Sequence, residues 1–243
     1  VELRLLAAVP RQIISPADNK SIVGIFQDSL LGSFRLTRPD IVFDTRQAMN
    51  LLMSVKNVNP EMFKDVDGTI SSFQLLSQIL PPLSAHFKNG QADTVDGNNV
   101  VDIVAGKFIK GQLDKTALGS GSNGLIQSIF NDYGFEAASE FIDNLQNVVT
   151  DYMKSSSYSV GIRDLIANAE TNDKIAATIL QKKNAVSSLI DETHIGSFQN
   201  KTGKTNEIEF ETQVNGLLEG AVSAAGKIGR TSLENSNKFV IMI

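Results

Sequence analysis

The sequence predicts an α+β chain, in which a mixed α/β module with a short β-hairpin is followed by an all-helical hairpin. Residues 100–104 and 108–113 are apolar runs on either side of a tight turn, a pattern typical of two antiparallel strands. Apolar residues recur at helical spacing through most of the remaining first two thirds of the chain. In the last third, two long helical patterns are joined by a polar linker, which favours a helical hairpin.

The elements of the first module follow from apolar spacing and from the residues that end helices. Pro10 and the pair Pro81-Pro82 stop two helical patterns, and Asp40 and Asp44 are each expected to act as a helix N-cap. The Gly- and Asn-rich stretch 88–99 has no periodicity and is predicted to be a mobile loop. Helices are predicted over residues 1–9, 23–34, 47–55, 69–79, 125–133 and 135–154.

The second module is predicted to consist of helices over 175–194 and 208–225, joined by the linker 196–206. We place the boundary between the modules so that the domains are residues 1–167 and 168–243. Both ends of the chain are apolar. Exposed apolar runs favour association, so we expect the chain to be a piece of a larger protein.

Composition and charge argue against several classes of protein. The chain has 243 residues, 42% of them hydrophobic, and no apolar run approaches the roughly 20 residues of a membrane span. It has no cysteine, which excludes disulfides and thiolate metal sites, and His86 and His194 lie far apart in the sequence. The net charge of −5 lacks the basic excess of a free-standing nucleic-acid binder.

The loop Gly119–Gly124 matches the pattern G-x-G-x-x-G that precedes a helix in dinucleotide sites. That fingerprint also needs a strand running directly into the first glycine and an acidic residue about 20 residues later at a strand end. Residues 115–118 intervene, and Glu140 and Asp143 fall within a predicted helix. A nucleotide-cofactor enzyme is therefore one alternative reading, and a free-standing helical-hairpin interaction domain is another.

Three stretches carry a resemblance to a known family. The first reads Val-Pro-Arg-Gln-Ile-Ile-Ser-Pro-Ala-Asp-Asn-Lys over 9–20 and continues to residue 37. The second reads Leu-Gly-Ser-Gly-Ser-Asn-Gly-Leu-Ile over 118–126 and leads to residues 130–134, and the third spans 141–167. In order and spacing they resemble the largest subunit of eukaryote-type multisubunit DNA-directed RNA polymerases. The resemblance implies a pore domain for residues 1–167 and the start of the funnel domain for 168–243.

In that family these domains line the secondary channel, where nucleoside triphosphates enter, the RNA 3′ end extrudes on backtracking and a transcript-cleavage factor docks. Lys115 matches a lysine at the pore mouth, where a cation would attract a triphosphate or an RNA phosphate; an ordinary exposed lysine is the alternative. The resemblance places five residues near the floor of the active centre, namely Gln12, Asn19, Lys20, Gln27 and Asp28. It places four in the cleavage-factor docking region, namely Lys182, Lys183, Glu219 and Val222.

The resemblance also implies a parent nucleotidyltransferase that uses magnesium. Its catalytic aspartates are expected before Val1, so this piece alone is expected to be inactive and to hold no cofactor. The implied partners are the second-largest and other polymerase subunits, the cleavage factor, nucleoside triphosphates, the RNA 3′ end and the DNA template, with no membrane. The expected location is the nucleus for a cellular enzyme, and the host cytoplasm or virion for a large DNA virus.

Val222 replaces an arginine that is common in nuclear relatives. In those relatives this helix region helps bind amanitin, so weak or absent toxin sensitivity is expected.

Overall fold

A computed structural model describes residues 1–64, 68–89, 99–200, 202–234 and 237–242. The chain separates into two compact units, Val1–Tyr158 and Ser159–Ile243. The first unit combines helices with two small antiparallel sheets, and the second contains a helical hairpin. The predicted α+β fold class is therefore confirmed.

The described residues of the first unit form short strands and helices that alternate along the chain. The helices are α1 (Glu2–Leu5), α2 (Gln27–Leu36), α3 (Thr45–Leu51), α4 (Ser72–Leu76), α5 (Lys115–Leu118) and α6 (Leu125–Ser156), with 3₁₀ turns at Val9–Gln12 and Pro60–Phe63. The strands are β1 (Val42–Asp44), β2 (Thr69–Ser71), β3 (Ala85–Lys88), β4 (Val100–Val104) and β5 (Lys107–Lys110).

The two sheets confirm one strand prediction and add three strands to it. The hairpin of β4 and β5 forms where predicted, with Ala105 and Gly106 at positive φ in the turn, but β5 ends at Lys110 and does not include residues 111–113 of the predicted strand. Strand β3 pairs with β4 on the other side, and β1 pairs with β2, with Phe43 opposite Ile70. These additional strands have only three or four residues, too few for a clear alternating pattern. Residues 90–98 of the predicted loop 88–99 lie outside the described residues.

Several helix boundaries differ from the prediction for local reasons. Helix α2 begins at Gln27 rather than at residue 23, because the segment before it is extended and Ile25 donates its backbone N–H to the Leu118 carbonyl at 2.8 Å. The helix predicted from residue 69 is preceded by β2. Asp44 caps α3 as predicted, accepting from the backbone N–H of Gln47 at 2.6 Å in a reciprocal capping box. The cap predicted at Asp40 is wrong, because no helix directly follows it and its side chain accepts from the Arg38 guanidinium at 3.1 Å instead.

Helix α6 supplies much of the core of the first unit. The two helices predicted over 125–133 and 135–154 are joined in α6 through a kink at Gly134, whose φ is +87°. Helix α2 packs closely on α6 at Gly32, where a Cβ would lie 2.5 Å from Val149 Cγ1. The buried face of α6 consists of Leu125, Ile126, Gln127, Ile129, Ala138, Phe141, Leu145, Val148, Val149 and Tyr152.

The second unit contains the predicted hairpin, formed by α7 (Ala169–Ile195) and α8 (Asn206–Thr231). Both helices are longer than predicted. Asn168 caps α7 by accepting from the backbone N–H of Thr171 at 2.8 Å, and Gly196 ends it in the left-handed conformation. A 3₁₀ turn, Ile162–Leu165, precedes the hairpin, and α9 (Lys238–Met242) follows it.

Among the described helices, none is both long enough and apolar enough to cross a membrane.

Candidate functional site

Residues 13–23 form a folded surface loop, which we call the Lys20 loop. Its two ends are joined because Ile22 donates its backbone N–H to the Ile13 carbonyl at 2.8 Å. Its tip is closed by a bond of the same length from the Ser15 N–H to the Lys20 carbonyl. Ile13 is buried in the core, whereas the tip is exposed. The loop therefore presents polar side chains to solvent from a firmly anchored base.

Asn19 and Lys20 lie at the exposed tip of the Lys20 loop. Asn19 has φ of +51°, an uncommon backbone conformation for a residue other than glycine. The Lys20 ammonium lies 3.7 Å from Asp18 Oδ2, and both side chains are about half exposed. A hydrogen bond from the Ser15 side chain, more than Lys20 itself, holds the pKa of Asp18 below its ordinary value. Because exposed ion pairs contribute little, Asp18 holds Lys20 only weakly.

The other three residues of the predicted floor flank this loop. Gln12 ends the 3₁₀ turn, and its side-chain amide donates to the Leu6 carbonyl at 2.7 Å, so its amide N–H is engaged within the chain. Gln27 begins α2 with φ of +50° and is exposed. Asp28 is exposed in the first turn of α2, where a carboxylate interacts favourably with the helix dipole.

The glycine loop Gly119–Gly124 packs against the segment that follows the Lys20 loop. Ile25 donates to the Leu118 carbonyl, and a Cβ on Gly24 would lie 2.8 Å from that oxygen and 3.0 Å from the Gly119 carbonyl carbon. Helix α5, rather than a strand, leads into Gly119. The glycines thus allow two backbone segments to approach each other, and the strand-to-glycine geometry of a dinucleotide site is not formed.

Lys115 is positioned by this same loop. It lies in the first turn of α5, which Asp114 caps by accepting from the backbone N–H groups of Thr116 and Ala117 at 3.0 and 3.1 Å. The Lys115 Cγ lies 3.1 Å from where a Cβ on Gly119 would stand, so the aliphatic stem crosses that glycine. The side chain is exposed. The structure therefore places an exposed cation next to the contact between Gly119 and Gly24.

The third stretch of the resemblance holds α2 in place. Gln146 on α6 donates its side-chain amide to the Ser29 hydroxyl at 2.6 Å. Arg35 donates to the Ser157 carbonyl at 2.8 Å, and its guanidinium lies over the Tyr158 ring, 4.8 Å from the ring centre. From the sequence, no individual role was assigned to these residues or to Gln127. A polar residue within an otherwise apolar helical stripe was the available signal for Gln127.

In the hairpin, the structure brings together part of the predicted docking region. The Lys182 ammonium on α7 lies 3.9 Å from where a Cβ on Gly220 of α8 would stand, next in the chain to Glu219. Lys183 and Glu219 are exposed, and Val222 is 75% exposed. Lys182 therefore lies against α8 at Gly220, whereas Val222, two residues further along, lies on nearly the opposite side of α8.

Within the described ranges, no group of three or more His, Asp or Glu side chains is arranged to hold a metal ion. His86 lies across the β3–β4 pair from Asp102, with Nδ1 3.7 Å from Oδ1, and the His86 side chain is largely exposed.

These features define an α+β module in which a glycine loop, a polar surface loop and a long helix are packed into one unit. A comparison with protein families identifies the module. Residues 12–165, more than half of the chain, match the family described as RNA polymerase Rpb1, domain 3, and the chain belongs to that family. The suspected relationship to the largest polymerase subunit is therefore confirmed.

Two curated relatives extend the similarity over the whole chain. These are the DNA-directed RNA polymerase II subunits RPB1-A and RPB1-B of Trypanosoma brucei brucei, each 27% identical over 245 aligned residues. The alignments cover 100% of this chain but only 14% of each relative. The chain thus corresponds to one part of the largest subunit.

Proposed function

We propose that this chain forms part of the wall of the secondary channel in a DNA-directed RNA polymerase. Residues 1–167 would be the pore domain and residues 168–243 the beginning of the funnel domain. The exposed tip of the Lys20 loop and the Lys115 ammonium would face the nucleoside triphosphates that enter the channel and the RNA 3′ end of a backtracked complex. The parent enzyme would transfer nucleotides with magnesium held by residues outside this chain.

The placement of Lys115 carries this proposal. A phosphate-rich ligand needs a cation that is exposed but held at a defined place. The Asp114 cap fixes the helix that carries Lys115, and Gly119 provides the surface over which its stem lies. Lys20 adds a second exposed cation on the loop that precedes the Gly24–Gly119 contact. The polymerase II relatives supply the biological setting.

The test is made in a complete polymerase that carries this chain within its largest subunit. We expect Lys115→Ala to raise the KM for nucleoside triphosphates about five-fold at low salt, because one fully solvent-exposed charge–phosphate attraction contributes about 1 kcal/mol, which corresponds to about a five-fold change in affinity. The increase should shrink at high salt, and Lys115→Arg should behave nearly as wild type. Lys107→Ala is the matched control, since Lys107 is an exposed lysine in the β4–β5 hairpin.

An unchanged KM in Lys115→Ala at low ionic strength would refute the role of Lys115 in triphosphate entry. Transcript cleavage in stalled complexes tests the RNA 3′ end separately, because the triphosphate is then absent. If Lys107→Ala raises the KM as much as Lys115→Ala does, the effect is a general one of surface charge, and the proposed channel position is wrong.

The hairpin is proposed to dock the transcript-cleavage factor through Lys182, Lys183, Glu219 and Val222. Two exposed residues test this in the complete enzyme, Lys183→Glu on α7 and Val222→Asp on α8. Both should weaken factor-stimulated RNA cleavage while elongation without the factor is unchanged. Lys174→Glu, near the start of α7, is the matched control. Equal factor stimulation in the variants and the control would contradict the docking role.

The rival interpretation is a free-standing hairpin that binds the cleavage factor by itself. Binding of a cleavage-factor homologue to this chain in the absence of other polymerase subunits would favour that rival over the channel wall.

The proposed partners of the parent are the second-largest and other polymerase subunits and the DNA template. The polymerase II relatives support the nucleus as the location in a cellular organism, and the host cytoplasm or virion applies to a viral source.

A further inference from the structure

Gln127, in the first turn of α6, joins the two loops of the candidate site. Its side-chain oxygen accepts from the backbone N–H of Asn123 in the glycine loop, and its side-chain nitrogen donates to the Asn19 carbonyl in the Lys20 loop. Gln127 is 8% exposed. A buried amide must satisfy both its donor and its acceptor, and these two bonds do so for Gln127.

The two partners of Gln127 have unusual backbone conformations. Asn19 and Asn123 have φ of +51° and +64°, and they are two of only four described residues other than glycine with positive φ. Such conformations persist where the surroundings hold them. One side chain is therefore bonded to both left-handed residues, although they lie more than 100 positions apart in the sequence.

Each of these loops adjoins a cation of the proposed channel surface. Asn19 directly precedes Lys20, and the glycine loop begins at Gly119, beneath the stem of Lys115. Two further bonds join the two segments: the Ile25 N–H donates to the Leu118 carbonyl at 2.8 Å, and the Ser21 N–H donates to the Gly121 carbonyl at 3.4 Å. The shorter bond lies at the opposite end of both segments from Gln127. Loss of Gln127 would leave the Lys20 end held to the glycine loop only by the long bond from Ser21.

We propose that Gln127 is a positioning residue that sets the separation of the Lys20 and Lys115 ammonium groups, and hence the affinity of this surface for a triphosphate. This inference rests on the proposed channel function. Gln127 itself touches backbone groups of the chain, and it acts through the two loops that it joins.

Two variants of Gln127 separate its two bonds. Gln127→Leu removes both, whereas Gln127→Glu retains an acceptor for Asn123 but cannot donate to the Asn19 carbonyl. Gln146→Leu is the matched control, because Gln146 also lies on α6 and donates its side-chain amide to another segment, at Ser29 Oγ.

The first measurement is amide hydrogen exchange of the full chain. Gln127→Leu should speed exchange several-fold in segments 13–23 and 119–124, and Gln127→Glu mainly in 13–23. Gln146→Leu should alter neither segment.

The second measurement is the KM for nucleoside triphosphates and the kcat of the complete enzyme. Gln127→Leu and Gln127→Glu should raise the KM about three-fold or more with kcat changed less than two-fold. A purely structural role would predict that Gln146→Leu raises the KM equally, and that result would overturn the inference. Unchanged exchange in both Gln127 variants would also overturn it, whatever the kinetics.

The two proposals fail in different ways. If exchange rises in Gln127→Leu but neither that variant nor Lys115→Ala alters the KM, the joining role of Gln127 stands and the triphosphate function is wrong. If Lys115→Ala raises the KM and Gln127→Leu does not, the channel function stands and the positioning role of Gln127 is wrong. If Gln127→Leu does not fold, the same comparisons are made with Gln127→Glu.

Discussion

Two glycine-to-alanine substitutions at the contact between the glycine loop and residue 24 should have very different effects. A Cβ on Gly24 would lie 2.8 Å from the Leu118 carbonyl oxygen and 3.0 Å from the Gly119 carbonyl carbon. Both are backbone atoms, which cannot move aside as a flexible side chain can. A Cβ on Gly121, in the same loop, would meet no atom within 4 Å, and its φ is not in the left-handed region. Only the first substitution should disturb the structure.

The size of the effect follows from the contacts that are lost. Forcing a methyl group into a packed contact costs about 1–3 kcal/mol. The same displacement breaks the hydrogen bond from Ile25 to Leu118, worth about 1 kcal/mol. Gly24→Ala should therefore lower the free energy of unfolding of the first unit by about 2–4 kcal/mol. Gly121→Ala should be neutral or stabilise it by about 0.4–1 kcal/mol, because alanine restricts the unfolded chain.

Tyrosine fluorescence during urea denaturation measures this difference in the unit concerned. The chain has three tyrosines and no tryptophan, and all three lie in the first unit, at positions 133, 152 and 158. Tyr152 is buried and packs edge-on against Phe43, so its emission should change on unfolding. Equal urea midpoints for Gly24→Ala and the wild type would refute the packing account of the glycine loop. A large loss of stability in Gly121→Ala would do so as well.

Three further predictions concern other parts of the chain. Gly216→Ala, on α8 with no atom within 4 Å of the added Cβ, should stabilise the hairpin by up to about 1 kcal/mol, seen as higher helicity on heating; a lower midpoint would contradict the packing described. The pKa of the Asp18 carboxyl should lie below its ordinary value in an NMR pH titration, and it should return towards that value in Ser15→Ala because the Ser15 hydrogen bond is the largest cause of the shift. Because folding lowers this pKa, the contribution of Asp18 to stability is present above the unfolded pKa and lost as pH falls through the folded one. The complete enzyme, with exposed Val222, should resist amanitin at concentrations that stop nuclear relatives, and equal inhibition would contradict this.

Elements with a strong local pattern were predictable from the sequence. The β4–β5 hairpin, the Asp44 cap and the hairpin of α7 and α8 each depend on residues close together in the chain. Strand β1 was missed because its three residues pair with β2, 27 positions later, and only that pairing makes them a strand. The start of α2 was placed too early for a similar reason. Residues 23–26 have helical spacing, but the contact of Ile25 with Leu118 holds them extended.

The candidate site shows the same limit. The resemblance to the polymerase family selected Lys115 and the residues from Gln12 to Asp28, and their roles remain predictions. Spacing in the sequence did not reveal that Gln12 is hydrogen-bonded to the preceding helix, nor that Gln127 bridges two loops. The bond from Gln127 to Asn19 spans 108 positions. Contacts of this kind become apparent only when the fold brings distant segments together.

The packing of the first unit offers a physical reason why three separated stretches carry the family resemblance while the whole chain is only 27% identical to its polymerase relatives. At Gly24 and Gly119, backbone meets backbone, and at Gly32 helix α2 meets α6 so closely that a Cβ would overlap Val149. Such contacts restrict the residue type at each position, whereas an exposed strand or helix face tolerates many side chains. The stretches meet in one unit, since residues 9–37 contact both the glycine loop and the α6 stretch. A substitution in one stretch therefore changes the space left for another, and this coupling constrains all three together.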